Sequence, residues 1–202
     1  MKVIMVESID NLGKDSQINK LYNEYKDKYN ISIRHFEKPK PKQNESPLEF
    51  QFISFDNEID YLNNISMMEK QFDYYNKENL IIYNRFYLGE YIYGTLYRKF
   101  SKDDILNAIF NPIENRMLKF LSIFDVLIIN LWTDNFDIII DDNKSLSKGS
   151  HDKMLIEQNL FKEIIDESVF TSEFVQVNDG NKFKSKDDIF NTIKKRTDKF
   201  LS

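Results

Sequence analysis

The apolar run Val3-Ile4-Met5-Val6 passes through Glu7-Ser8-Ile9-Asp10-Asn11-Leu12 straight into Gly13-Lys14, and helical spacing of Ile18, Leu21 and Tyr22 follows. A short strand delivered by a Gly-Lys turn onto the start of a helix aims backbone N–H groups at whatever sits over the turn. That is the layout of a phosphate-binding loop (P-loop). In its full form a Gly opens the loop, four residues follow, and Gly-Lys-Ser/Thr closes it. Here Ser8 stands at the opening glycine, Asn11 and Leu12 replace small residues, and Asp15 takes the place of the magnesium-binding hydroxyl, with Ser16 one residue later. The motif assigns Asn11, Leu12, Gly13, Lys14, Asp15 and Ser16 to a nucleotide-binding loop. Its rival is an ordinary strand-turn-helix in which Gly-Lys falls by chance.

Composition narrows what such a chain does. With 202 residues, of which 41% are hydrophobic and 14% aromatic, one good core and one domain spanning residues 1–202 are the expectation. A net charge of -5 argues against a broad surface for polyanions, and so against nucleic acid as the main partner. The absence of cysteine excludes disulfides, zinc-thiolate sites and thiol nucleophiles, and it fits a reducing compartment such as the cytoplasm. The first apolar run is too short for a signal peptide, and no stretch is long and apolar enough to span a bilayer. Two histidines, His35 and His151, without carboxylates at ligand spacing make no metal site.

Further along, strand and helix patterns alternate, which predicts an α/β fold with a parallel sheet of about five strands and helices on both faces. Strands are expected at Ile31–Phe36, Leu80–Tyr83, Val126–Leu131 and Phe174–Val177 in addition to the first. Helices are expected over 47–76, where Phe50, Ile53, Phe55, Ile59, Leu62 and Met67 read as part of a buried face, and from the third strand to Tyr97. Another covers 111–123, with Ile113, Met117, Leu118 and Leu121 on one face, and two more span 153–167 and 186–201. Pro39 and Pro41 end regular structure after the second strand, and the polar stretch 141–151 reads as a mobile, lid-like segment.

Glu7-Ser8-Ile9-Asp10 before Gly13-Lys14, Asn84-Arg85-Phe86 ending the third strand, and Val175-Gln176-Val177-Asn178-Asp179 before the last helix together form a known pattern. In order and spacing the chain resembles the thymidylate kinase-like deoxynucleoside and deoxynucleotide kinases, a P-loop family, and most closely their phage-encoded members. For a phage-encoded chain the compartment would be the host cytoplasm. The resemblance covers nearly the whole chain and implies the P-loop kinase fold, ATP and magnesium (Mg2+) as cofactors, and small nucleotide substrates. Homodimers built on helices flanking the third strand are common in the family, and the aromatic-rich segments 50–75 and 86–97 are where such a contact would form, although a buried core would use the same residues.

Residue by residue, the resemblance implies the following roles. Lys14 would place its charge on the β- and γ-phosphates during transfer. Arg85, at the carboxyl edge of the sheet, would hold the acceptor phosphate; its plain alternative is a pair with Glu90. Asp10 would hold the 3'-hydroxyl of a deoxynucleotide, or simply form a turn. Glu7 would orient metal-bound water or act as a base, Phe86 would stack a nucleobase, and Arg34 and Phe36 would contact the acceptor. Arg98, at the end of the helix that follows, lies within reach of an acceptor phosphate or serves the helix dipole.

The chain also departs from the family. Asp15 replaces the hydroxyl, Asn84 replaces an aspartate, and the 141–151 segment offers only Lys144 and Lys148 where the family has an arginine. One rearrangement restores the metal chemistry: Asp15 supplies the carboxylate that Asn84 lacks and Ser16 supplies the hydroxyl. The resulting expectation is ATP-dependent phosphorylation of a deoxynucleoside monophosphate, with Lys14, Arg85 and Asp15 catalytic and Asp15 and Ser16 at the metal. The alternatives are a deoxynucleoside kinase on the same fold and a nucleotide-binding pseudokinase.

Overall fold

The computed structural model describes residues 1–36, 46–72, 77–119, 124–140, 146–147 and 150–202. Five parallel strands, β1 (Lys2–Ser8), β2 (Asn30–His35), β3 (Asn79–Asn84), β4 (Asp125–Trp132) and β5 (Thr171–Gln176), form one sheet in the order β2-β3-β1-β4-β5. Val3, Ile4, Met5 and Val6 are fully buried, as expected for a central strand covered on both faces. Parallel neighbours need crossovers, and here helices make them. α1 (Lys14–Tyr25) packs against α7 (Lys186–Leu201), while α3 (Leu88–Arg98) packs against α6 (His151–Glu167) and α2 (Pro47–Phe72) against α5 (Asn111–Leu118). The α/β architecture expected from the sequence is therefore present, with five parallel strands.

The register sets the site. Val6 lies opposite Asn84 and Ile129, so Glu7 and Ser8 carry β1 two residues beyond the end of β3. β1 leaves towards α1 and β3 leaves towards α3, and α1 and α3 belong to different packed groups. A crevice opens between two such diverging connections at the carboxyl edge of a sheet.

Several expectations need correction. In α2 the buried face is carried by Phe55, Ile59 and Leu62, whereas Ile53 and Met67 are exposed. Gln51, Glu58 and Ser66 take buried positions instead. Leu118 is exposed as well. The helix expected from 111 is preceded by α4 (Lys102–Ile105), which starts on a capping box between Ser101 and Asp104. A π-helical turn over Leu106–Phe110 joins α4 to α5. Pro112, in the first turn of α5, explains that turn: a proline lacks the N–H of a regular helix and its ring crowds the carbonyl four residues back. A short hairpin, β6 (Asn178–Asp179) and β7 (Lys182–Phe183), occupies the turn before α7, reversing at Gly180 with φ +55°. The ends of the helices expected over 47–76 and 111–123, Leu121 among them, and Pro39 and Pro41 lie outside the described residues. So does most of the 141–151 segment, including Lys144 and Lys148. Among the described residues no helix is long and apolar enough to cross a membrane.

Candidate functional site: a cleft at the carboxyl edge of the sheet

A cleft of about 720 Å³ opens over the ends of β1 and β3. The turn from Ile9 to Gly13 forms one wall. Asn11 has φ +64° and Gly13, the N-cap of α1, has φ +80°. Gly13 caps without a side-chain hydrogen bond, and a Cβ built there would meet nothing within 4 Å. Its glycine is therefore required by backbone angle and not by crowding. The first-turn amides of α1 consequently lack a side-chain acceptor at the cap and face the side from which an anion would approach.

Behind this turn, three side chains from two elements meet. Lys14 Nζ donates to Asn84 Oδ1, and the Asn84 amide nitrogen donates to Asp15 Oδ1 at 2.7 Å. Lys14 also lies 3.6 Å from Asp15. Burial, together with the charge of Arg85, holds the Lys14 ammonium below its usual pKa. Burial works against ionisation of Asp15, but the Asn84 hydrogen bond and Lys14 outweigh it and hold the carboxyl below its usual range. Asp15 and Asn84, which the sequence linked through an exchange of the metal carboxylate, are direct hydrogen-bond partners. Ser16 lines the same wall.

Glu7 is completely buried beneath this wall. Its Oε1 accepts the Phe86 amide at 2.8 Å, and its Oε2 has no partner. Burial pushes the carboxyl up to about 7, against the opposing pull of the Phe86 amide, Lys14 and Arg85. Arg85 takes φ +66°, an uncommon angle for a residue with a side chain, and its amide donates to Val6 O at 3.2 Å. Its guanidinium pairs with Asp10 and lies 5.1 Å from the Tyr93 ring centroid. The Nε of Arg85 and the hydroxyl of Tyr93 are buried without partners, two polar groups that face the same neighbourhood.

Aromatic rings build the far wall. Phe36 and Phe86 lie 5.0 Å apart between centroids, and Phe55 lies 5.1 Å from Phe36. Phe86 itself stacks on Tyr83 at 4.4 Å and 12°, so one face of its ring is committed to the core. Beyond the rings sit Gln51 from α2 and Glu90 and Arg98 from α3. Ile140, Leu146 and Phe183 form the rim on the side of β4 and the hairpin.

The structure brings Asp10, Asn11, Gly13, Lys14, Asp15, Ser16, Phe36, Arg85, Phe86 and Arg98 to this one cleft. Two others lie beneath it: Glu7 is fully buried and Leu12 is 1% exposed, so Leu12 offers the cleft no side chain. Arg34 is elsewhere. It makes a two-pronged pair with Glu58, both bonds 2.8 Å, and stacks on Tyr61. Glu90, read as the alternative partner of Arg85, belongs to Arg98 instead. Gln51, Phe55, Glu90 and Tyr93 line the cleft although sequence reasoning gave none of them a role there. The spacing of Glu90, Gly94 and Arg98 at i, i+4 and i+8 was the available signal, because residues four apart share a helix face. Among the described residues no cluster of three or more His, Cys, Asp or Glu is placed to hold a metal. Magnesium at a phosphate site needs only one or two protein ligands, with phosphate and water for the rest, and Asp15 and Ser16 suit that donor set.

No family model matches the sequence, and none of the curated proteins matches it in sequence. Solved structures do match its fold. A thymidylate kinase from Ehrlichia chaffeensis superposes with a TM-score of 0.63 over 97% of this chain and 98% of that one, at 12% identity. A YorR protein from Bacillus subtilis, solved in complex with phosphorylated GDP, gives 0.55 over 97% and 95%, at 15% identity. A thymidylate kinase from Candida albicans gives 0.53 over 98% and 92%, also at 15%. The chain thus has the P-loop kinase fold that the thymidylate kinases share, over nearly its whole length.

Proposed function

We propose that this protein transfers the γ-phosphoryl group of ATP to a deoxynucleoside monophosphate. The observation that carries the reading is the convergence of Lys14, Arg85 and the Phe36–Phe55–Phe86 wall on one cleft at the edge of the sheet. Lys14 is set to leave Asn84 and meet the β- and γ-phosphates. Its burial makes the approach of an anion more favourable, because the charge there is poorly compensated by water. Arg85 would hold the acceptor beside the transferred group, and Asp10, its partner, would hold the acceptor sugar. Asp15 and Ser16 would hold magnesium, which supplies positive charge to the phosphate oxygens when bound. Glu7 stays beneath the loop and holds the Phe86 amide, which fixes the turn that presents Arg85.

A second reading, in which the acceptor is an unphosphorylated deoxynucleoside, is favoured by one feature. Each arginine expected at the acceptor edge already faces a carboxylate: Arg85 faces Asp10, Arg98 faces Glu90 and Arg34 faces Glu58. A site for a phosphorylated acceptor would be expected to keep one of these charges uncommitted. ADP release coupled to a reporter, with ATP-magnesium and either monophosphates or nucleosides, tests both. Turnover with monophosphates supports the first, turnover with nucleosides alone moves the acceptor to the second, and nucleotide binding without turnover leaves a pseudokinase.

A further inference from the structure

At the base end of the cleft, Glu90 is 3% exposed yet lines the cavity. Arg98 reaches back along α3 so that its Nε meets Glu90 Oε1 at 3.0 Å, while its terminal nitrogen meets Oε2. Gly94 sits between them on the same face. A Cβ there would stand 3.1 Å from Glu90 Oε1 and 2.7 Å from Ile105 Cδ1, so the glycine is what lets the pair close. From α2, the Gln51 amide nitrogen donates to Glu90 Oε2 at 3.1 Å. That bond fixes the orientation of the Gln51 amide, because a carboxylate only accepts, and it leaves the Gln51 carbonyl as the remaining acceptor.

We propose that Glu90, Gln51 and Arg98 read the base edge of the acceptor and that the base they select is guanine and not thymine. The proposal rests on the phosphoryl-acceptor reading above. Guanine presents two adjoining donors, N1–H and the N2 amino group, beside one acceptor, O6. Glu90 and Gln51 offer the two acceptors and Arg98 the donor. Thymine presents a single N–H flanked by two carbonyl oxygens, so a carboxylate that takes its proton also meets two repelling oxygens. Cytosine and adenine place a ring acceptor where guanine has its N1 donor, which would set a lone pair against a carboxylate oxygen. An aromatic wall at Phe36 and Phe55 accepts either ring system by stacking and leaves discrimination to the polar end.

The test is the ratio of kcat/KM values for dGMP, dTMP, dCMP and dAMP with saturating ATP-magnesium, repeated with the matching deoxynucleosides. The wild-type protein is expected to prefer the guanine compound over the thymine one by at least about tenfold, the effect of one charge-assisted hydrogen bond. An equal or greater rate with thymine overturns this proposal and leaves the kinase reading standing. Absence of both turnover and calorimetric binding for all compounds overturns the acceptor reading and this proposal with it. Glu90→Gln should cut the guanine-to-thymine ratio at least about tenfold. A uniform loss across all four bases, with the ratio intact, would mark Glu90 as a packing residue and overturn the assignment.

Discussion

The two ends of the cleft are built by different means. At the end proposed to take phosphate, most of the parts come from one continuous stretch, a buried strand, a turn with two left-handed residues and the first turn of α1, with Asn84 added from β3. At the end proposed to take the base, Gln51, Glu90 and Arg98 come from two helices and are held by hydrogen bonds to the Glu90 carboxylate. The first kind of site is made largely of backbone and depends less on side-chain identity, and its turn reaches φ +64° at Asn11 and +80° at Gly13 with Ser8 where the motif opens on glycine. The second kind fails when one partner is removed, because a buried carboxylate or guanidinium is left uncompensated. The lesson is that departures from a motif matter most where the side chain itself carries the chemistry. In this protein that means Asp15 and Asn84.

The largest effect expected separates chemistry from folding at the phosphate end. Lys14→Ala should lower phosphoryl transfer by about 10³ or more. The melting temperature should hold or rise, since burial and Arg85 already disfavour the ammonium in the folded state. Parallel measurement of turnover and thermal unfolding checks both halves, and retained turnover would remove Lys14 from the reaction.

Next in size is the exchange of charge between Asp15 and Asn84. Because Asn84 donates to Asp15 and accepts from Lys14, Asp15→Asn should lower magnesium-dependent turnover about tenfold to a hundredfold. Asn84→Asp alone would set two carboxylates at hydrogen-bond distance and should also lower it. The double exchange keeps one carboxylate and one amide in contact and should recover part of the rate. Strict additivity in the double-mutant cycle would show that the two positions do not act on a shared cation.

A smaller effect concerns pH. With its carboxyl raised to about 7 from 4.5, folded Glu7 keeps a proton that the unfolded chain has lost. The contribution of Glu7 to stability is therefore full below about pH 4.5 and declines as pH rises to about 7, where it levels off, with a slope of at most about 1.4 kcal/mol per pH unit. Urea unfolding across that window should show the decline in wild type and a flatter profile in Glu7→Gln. Identical slopes would mean that Glu7 is ionised in the folded protein.

The smallest effect probes the base end. Gly94→Ala puts a methyl group 2.7 Å from Ile105 and 3.1 Å from Glu90, and crowding of that kind costs about 1–3 kcal/mol, partly offset by about 1 kcal/mol of helix propensity. Thermal unfolding should show a modest net loss; unchanged stability would mean that the Glu90–Arg98 pair has room the geometry does not show.

The parallel five-stranded sheet, the loop and the Lys14–Arg85 juxtaposition were legible because they follow from local pattern and from a shared order of motifs, whereas the strand order β2-β3-β1-β4-β5 was not read from the sequence. The Ser101–Asp104 capping box was also present in the sequence, and Pro112 accounts for the π turn that carries the helix on past Phe110. Partner choice was legible only in part. Arg34, Arg85 and Arg98 look alike along the chain, yet one leaves the cleft for Glu58 while the other two stay with Asp10 and Glu90. The Arg34 choice depends on where α2 lies against β2, and the Arg85 choice on where the turn after β1 lies against the end of β3, long-range relations that periodicity does not encode, whereas the Arg98–Glu90 pair falls within α3 and was open to its spacing. The same limit explains Ile53 and Met67, whose spacing fits a buried face that α2 does not bury.

The central claim, phosphoryl transfer within this cleft, is tested most directly by following γ-labelled ATP into product with magnesium and a mixture of deoxynucleosides and their monophosphates. The label is expected in a deoxynucleoside diphosphate, formed by wild type and not by Lys14→Ala. Label that stays in ATP or appears only as inorganic phosphate would contradict the claim.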